Sequence, residues 1–126
     1  MEIYSAQNFL AYYVKIRQRT LRVINCIPPD KIEWTYKEGK FTFGDLIRHL
    51  AAIERDMFAE NFQFKPSRYP GHSRELADGY ENILDFMNRM HAETMELLLR
   101  LETKICRKNA PPRTALQSRS GNGCAP

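Results

Sequence analysis

Histidine is scarce in this chain of 126 residues, with three in all, and cysteine is equally scarce. Cys26, Cys106 and Cys124 lie far apart and include no C-x-x-C spacing. They offer neither a zinc knuckle nor a disulfide framework, so a reduced, cytoplasmic compartment is the expectation. No apolar run reaches membrane-spanning length, and Met1-Glu2-Ile3-Tyr4-Ser5 lacks the layout of a signal peptide. Glycine-rich phosphate loops, Ser-His-Asp arrangements and paired-carboxylate signatures are missing too. Between Ile105 and Pro126 there is no acidic residue, while Arg107, Lys108, Arg113 and Arg119 remain.

That last absence accounts for the charge. The chain carries +4, from 19 basic and 15 acidic residues, and the tail cations make up the whole excess. The rest is neutral. A positive balance ordinarily raises nucleic-acid binding, but an excess confined to one end does not define a basic face. No nucleic-acid or membrane partner is expected.

What is present is helical pattern. Hydrophobic content of 43% gives room for one domain with a small core. Phe9, Tyr13, Ile16, Thr20 and Ile24 recur at helical spacing, widened by Leu10, Val14 and Leu21. They predict a first helix from Ser5 or Ala6 to about Asn25, ended by Pro28-Pro29. A loop from Asp30 to Lys40 follows, with Trp34 and Tyr36 as expected packing anchors. Thr42-Phe43-Gly44-Asp45 is a capping box that opens a second helix, with Leu46, His49 or Leu50, Ile53 and Met57 as its apolar stripe, ending near Asn61. Phe62 to Ser73 reads as an irregular connection. A third helix is predicted from Arg74 or Gly79 to Glu102, with Ile83, Leu84, Met87, His91, Thr94, Leu98 and Leu101 on one side.

The predicted fold class is therefore all-α: an incomplete up-down bundle of three helices over residues 1 to about 104, followed by an irregular, disordered tail, 105–126. Three amphipathic helices leave a stripe uncovered, and the usual closed solution has four.

His49 is the candidate site residue. It lies one turn from Leu46 and Ile53, so it is expected to face inward among apolar side chains of more than one helix. Imidazole is the commonest protein ligand for zinc and nickel. Spacing alone favours a histidine satisfied by hydrogen bonds, because no ligand constellation surrounds it. His91 reads the same way, and His72, in a loop between Gly71 and Ser73, reads as exposed and inert. Glu54 and Asp56 read as solvated charges, with support of an imidazole as the sharper alternative. Met87, Met90 and Met95 read as core filling.

The stretch Phe41-Thr42-Phe43-Gly44-Asp45-Leu46-Ile47-Arg48-His49-Leu50-Ala51-Ala52-Ile53-Glu54-Arg55 resembles the second helix of the DinB-like family, which overlaps the YfiT-like and thiol-dependent transferase superfamily. Lys31-Ile32-Glu33-Trp34 and Phe86-Met87-Asn88-Arg89-Met90-His91 resemble it as well, and the likeness covers residues 1 to about 104. It implies a four-helix bundle with a divalent metal, zinc or nickel, held by three histidines. His49 matches the one from the second helix. The other two come from the fourth helix, where nothing in this sequence matches, and His91 is on the wrong helix. Such relatives are expected to be metal-dependent enzymes or thiol-cofactor transferases. This chain is expected to hold no metal tightly and to be inactive as written.

The break has two readings, a shifted frame or a genuinely truncated paralogue. Ser120 to Pro126 written AGC GGA AAT GGC TGC GCC CC becomes R-K-W-L-R when the first two bases are dropped, a stretch like the start of the family's fourth helix. The alternative function is a helical interaction module, or a homodimer that completes its bundle in trans.

Overall fold

The computed structural model describes residues 5–109, and among them the chain forms three helices and no strand. Helix α1 spans Ala6–Ile24, and Ser5 caps it as expected, accepting from the Asn8 amide at 3.1 Å. The prolines then turn the chain through a short 3-10 segment, Pro29–Lys31. Helix α2 begins at Phe43 with both halves of the capping box made: Thr42 Oγ1 accepts from the Asp45 amide at 2.9 Å, and Asp45 Oδ2 accepts from the Thr42 amide at 3.0 Å. It runs as an α-helix over Phe43–Ala52, widens into a π-helical stretch over Ile53–Phe58, and closes with the turn Ala59–Phe62. The rod 43–62 is called α2 throughout. Helix α3 is Tyr80–Asn109. It outruns the expected end at Glu102, because no proline or glycine intervenes before Pro111. The tail expected to be irregular lies, from residue 110 on, outside the described residues.

The core forms where α3 meets α2. Ile83, Phe86 and Met87 of α3 pack with Ile47 and Ala51 of α2, Ile24 of α1 and Ile32 of the first loop. Ile83 is fully buried, which stabilises the fold by about 1.5–3 kcal/mol by area. The stripe expected on α3 is thus the one observed. Thr94 is buried on it, with its hydroxyl returned to the Met90 carbonyl at 2.9 Å.

Two expectations are corrected. Trp34 and Tyr36 are exposed, and Ile32 is the residue that anchors the loop; Trp34 merely stacks on Phe43 at 5.6 Å. On α2 the covered face is Gly44, Ile47, Arg48, Ala51 and Ala52, whereas Leu46 and Leu50 are 45% and 47% exposed. Small residues let α2 approach α3 closely, so the helix buries the side with Gly44, Ala51 and Ala52 and leaves its leucines outward.

Leu50 lines a groove. Tyr13, Ile16, Arg17 and Thr20 of α1 form one wall, Leu50, Ile53, Glu54 and Phe58 of α2 the other, and Met87 of α3 the floor. Its volume is about 190 Å³. The side of the array opposite α3 is therefore uncovered among the described residues.

Candidate functional site

His49 is half-buried, but not between helices. Its ring lies edge-on to Phe41 at 5.6 Å and to Tyr69 at 5.5 Å, with His72 at 6.0 Å. Its Nδ1 shares a 2.5 Å hydrogen bond with the Tyr69 hydroxyl. The same hydroxyl stands 3.5 Å from His72 Nδ1. The expectation that His49 sits among apolar side chains of several helices is corrected: its neighbours come from the two connections, 25–42 and 63–79. His72 is not an exposed, inert loop residue either. It packs on Phe41 with ring centroids 4.1 Å apart, and its carbonyl accepts from Arg48 Nε at 2.8 Å.

Arg48, one residue before His49, was missed by hydropathy reading because its covered position belongs to a charge. It is fully buried. Glu33 accepts from Nη1 at 2.7 Å and from Nη2 at 3.3 Å, Asp45 accepts from Nη2 at 2.7 Å, and the Ala77 carbonyl accepts from Nη1 at 3.0 Å. One guanidinium thereby joins the first loop, the start of α2 and the segment leading into α3. Burial works against charge on Glu33 and Asp45, but the hydrogen bonds from Arg48 and Thr42 outweigh it and hold both carboxyls below their usual range. The readable signal was the pair of acids, Glu33 and Asp45, with Gly44 just before Asp45 and Arg48 one turn after it. A Cβ on Gly44 would stand 2.5 Å from Glu33 Oε1 and 3.1 Å from Arg48 Nη1. Gly44→Ala is accordingly expected to cost about 1–3 kcal/mol through overpacking of a network that cannot yield without breaking. Urea denaturation checks this, and an unchanged midpoint would show that the network has slack.

A second polar cluster bridges all three helices at the groove. Glu54, in the π-helical stretch, accepts from the Tyr13 hydroxyl of α1 and lies 3.1 Å from His91 Nδ1 of α3. Tyr13 and His91 rings stack at 5.8 Å. Glu54 and Asp56 are largely covered rather than solvated, with 15% and 19% of their side-chain surface open. Glu54 falls i+7 from Ile47 and i+3 from Ala51, on the covered face of α2. Burial opposes its charge, but bonds from His91 and Tyr13, with Arg17 nearby, lower its pKa. Burial and then Glu54 push the Tyr13 phenol well above its ordinary value.

The donor set around His49 is one more imidazole and a phenol. Among the described residues no three of His, Cys, Asp and Glu converge as metal ligands, and the sequence has no histidine after His91. A site of the three-histidine kind is therefore not assembled by these residues.

Three amphipathic helices with a threonine-capped second helix define a helical bundle with one side open among the described residues. Residues 12–118 match the DinB superfamily, and the chain belongs to that family. The match runs on past residue 104, where the resemblance carried by the quoted motifs stops. No curated protein and no solved structure matches the chain. No helix of the described residues is long and apolar enough to cross a membrane.

Proposed function

We propose that this chain is a DinB-type domain with an unfinished metal centre, which by itself neither holds zinc or nickel tightly nor turns over hydrolytic or thiol-transfer substrates. The observation that supports it is the setting of His49: its ring neighbours are Phe41, Tyr69 and His72 of the two connections, with no second helical histidine beside it, and the groove lined by Leu50 is uncovered among the described residues. In an intact relative the metal would polarise a substrate or lower the pKa of a bound thiol or water. Tight sites of that kind take about three protein ligands fixed before binding. Here His49 is the lone member of the family's set. Calorimetry of the 126-residue chain with zinc and nickel tests the reading. No binding at micromolar affinity or tighter is expected. Binding that tight, lost in His49→Ala but unaffected by His72→Gln and Tyr69→Phe, would mean that a complete family-type site exists.

The uncovered groove supports a second reading, an interaction module. Leu50 and Phe58, 47% and 55% exposed, lie along one side of it. The occupant that fits is a helix of a second copy, which would close the bundle in trans. Size-exclusion with light scattering should then show a dimer that dissociates on dilution and is lost in Leu50→Glu. A monomer at every concentration would exclude this reading.

A further inference from the structure

We propose that His49, His72 and Tyr69 form a transition-metal site of their own, selective for copper(II) over zinc and needing no group from a fourth helix. This goes beyond the unfinished-centre reading, since two of its three donors lie in the 63–79 connection. Its basis is convergence: His49 Nδ1 and His72 Nδ1 lie 2.5 Å and 3.5 Å from the same Tyr69 oxygen. Two donors about 2.0–2.1 Å from one metal, at angles between square and tetrahedral, sit roughly 2.9–3.4 Å apart. The two observed distances bracket that span, so each nitrogen–oxygen pair moves only a few tenths of an ångström to accept an ion. The rings of His49 and His72 are nearly perpendicular, at 87°, and so present their nitrogens without stacking.

The donors are held before any ion arrives. His49 is fixed on α2. His72 is tied through its carbonyl to Arg48 Nε at 2.8 Å, and Arg48 is itself locked by Glu33 and Asp45. His72 thus hangs from a buried network, and Phe41 lies beside both rings, at 5.6 Å from His49 and 4.1 Å from His72. Preorganisation of this kind spares the entropy of gathering ligands. Two imidazoles and a phenolate suit a borderline divalent ion, and copper(II) leads the first-row series for such ligands. On binding, two nitrogen–metal bonds and one oxygen–metal bond form, the phenol proton passes to water, and no oxidation state changes. Affinity should therefore rise with pH.

The test uses the full 126-residue chain, its thiols first capped with iodoacetamide, titrated with copper(II) chloride in the absorbance spectrometer and the calorimeter. One equivalent should bind and bring up a visible phenolate-to-copper charge-transfer band. Tyr69→Phe should abolish the band. His72→Gln and His49→Gln should each weaken binding roughly tenfold or more, the scale on which losing a group at a metal site is felt. Glutamine keeps a hydrogen-bonding side chain, and circular dichroism verifies that helix content is unchanged. Absence of the band, or a copper affinity untouched by His72→Gln, overturns the proposal. Neither result bears on the unfinished-centre reading, which concerns zinc or nickel held without His72 and Tyr69.

Discussion

Arg48→Ala is expected to destabilise the domain by about 3–5 kcal/mol, the range found when one partner of a buried ion pair is removed and the other is left behind. Urea denaturation followed by circular dichroism would show it as a large fall in midpoint, or as a chain already unfolded in buffer. The size follows from what the guanidinium holds. Glu33 and Asp45 are each about one-fifth exposed, and Arg48 not at all. Alanine would leave two carboxylates facing a void, together with the His72 and Ala77 carbonyls that Arg48 now satisfies. A lysine, with three donors and no planar fork, would not restore that geometry. Glu33→Gln alone should cost less. In the double variant the losses should fall short of their sum, because the two side chains share one interaction. The same network sets an acid limit. The folded-state pKa values of Glu33 and Asp45 lie below their ordinary range, so their contribution is fully present above the unfolded carboxylate pKa of about 4 and is lost as pH falls through the lower folded values. Arg48→Ala should cost markedly less at the acid end of that window than at neutral pH. Equal losses at the two ends would mean that the carboxylates are not what Arg48 stabilises.

The parts of this fold that were legible in the sequence are those where local chemistry and burial agree. Thr42 and Asp45 spell a helix start in four residues, and both bonds are made. Ile83, Met87 and Thr94 are covered on α3 as their spacing requires, because that helix is central and has one face to bury. Helix α2 misled because two of its faces are apolar. Periodicity picks the bulkier one, Leu46 and Leu50, while close packing picks the smaller one, Ala51 and Ala52. Hydropathy cannot decide which of two apolar faces a neighbour covers, and among the described residues only one of them is covered. Glu54, in the π-helical stretch, misled through its charge: it lies i+7 from Ile47 and i+3 from Ala51, on the covered face, and so meets Tyr13 and His91. His72 was illegible for another reason. Its surroundings, Pro70, Gly71 and Ser73, read as a surface turn, and only the long reach of Arg48 holds its carbonyl against α2. A buried arginine is invisible to any scale that counts charges as exposed.

A chain that continues from residue 104 into a fourth amphipathic helix, with two histidines one turn apart on its inner face, is expected to bind zinc or nickel roughly a thousandfold more tightly than the 126-residue chain, about 4 kcal/mol. Ligand count is the main cause. Histidines at i and i+4 share one face of a helix, and with His49 they would make the three protein ligands that such a centre takes, leaving a position open. Packing is the second cause. The groove between α1 and α2 is bounded by Ile16, Leu50, Ile53 and Phe58, side chains whose burial under a new helix would each contribute on the order of 1–3 kcal/mol. That burial would fix the added histidines before the ion arrives, so the metal need not supply the ordering free energy. Leu50, the residue after His49 in α2, lines that groove. Paired calorimetric titrations under matched conditions measure the difference. In the extended chain His49→Ala should remove most of the gain, and a Leu50→Glu change should lower both thermal stability and metal affinity, since helix docking and ligand placement are one event. An extended chain that gains stability without gaining affinity would show that His49 does not face the fourth helix, and that its partnership with Tyr69 and His72 is the arrangement this fold retains.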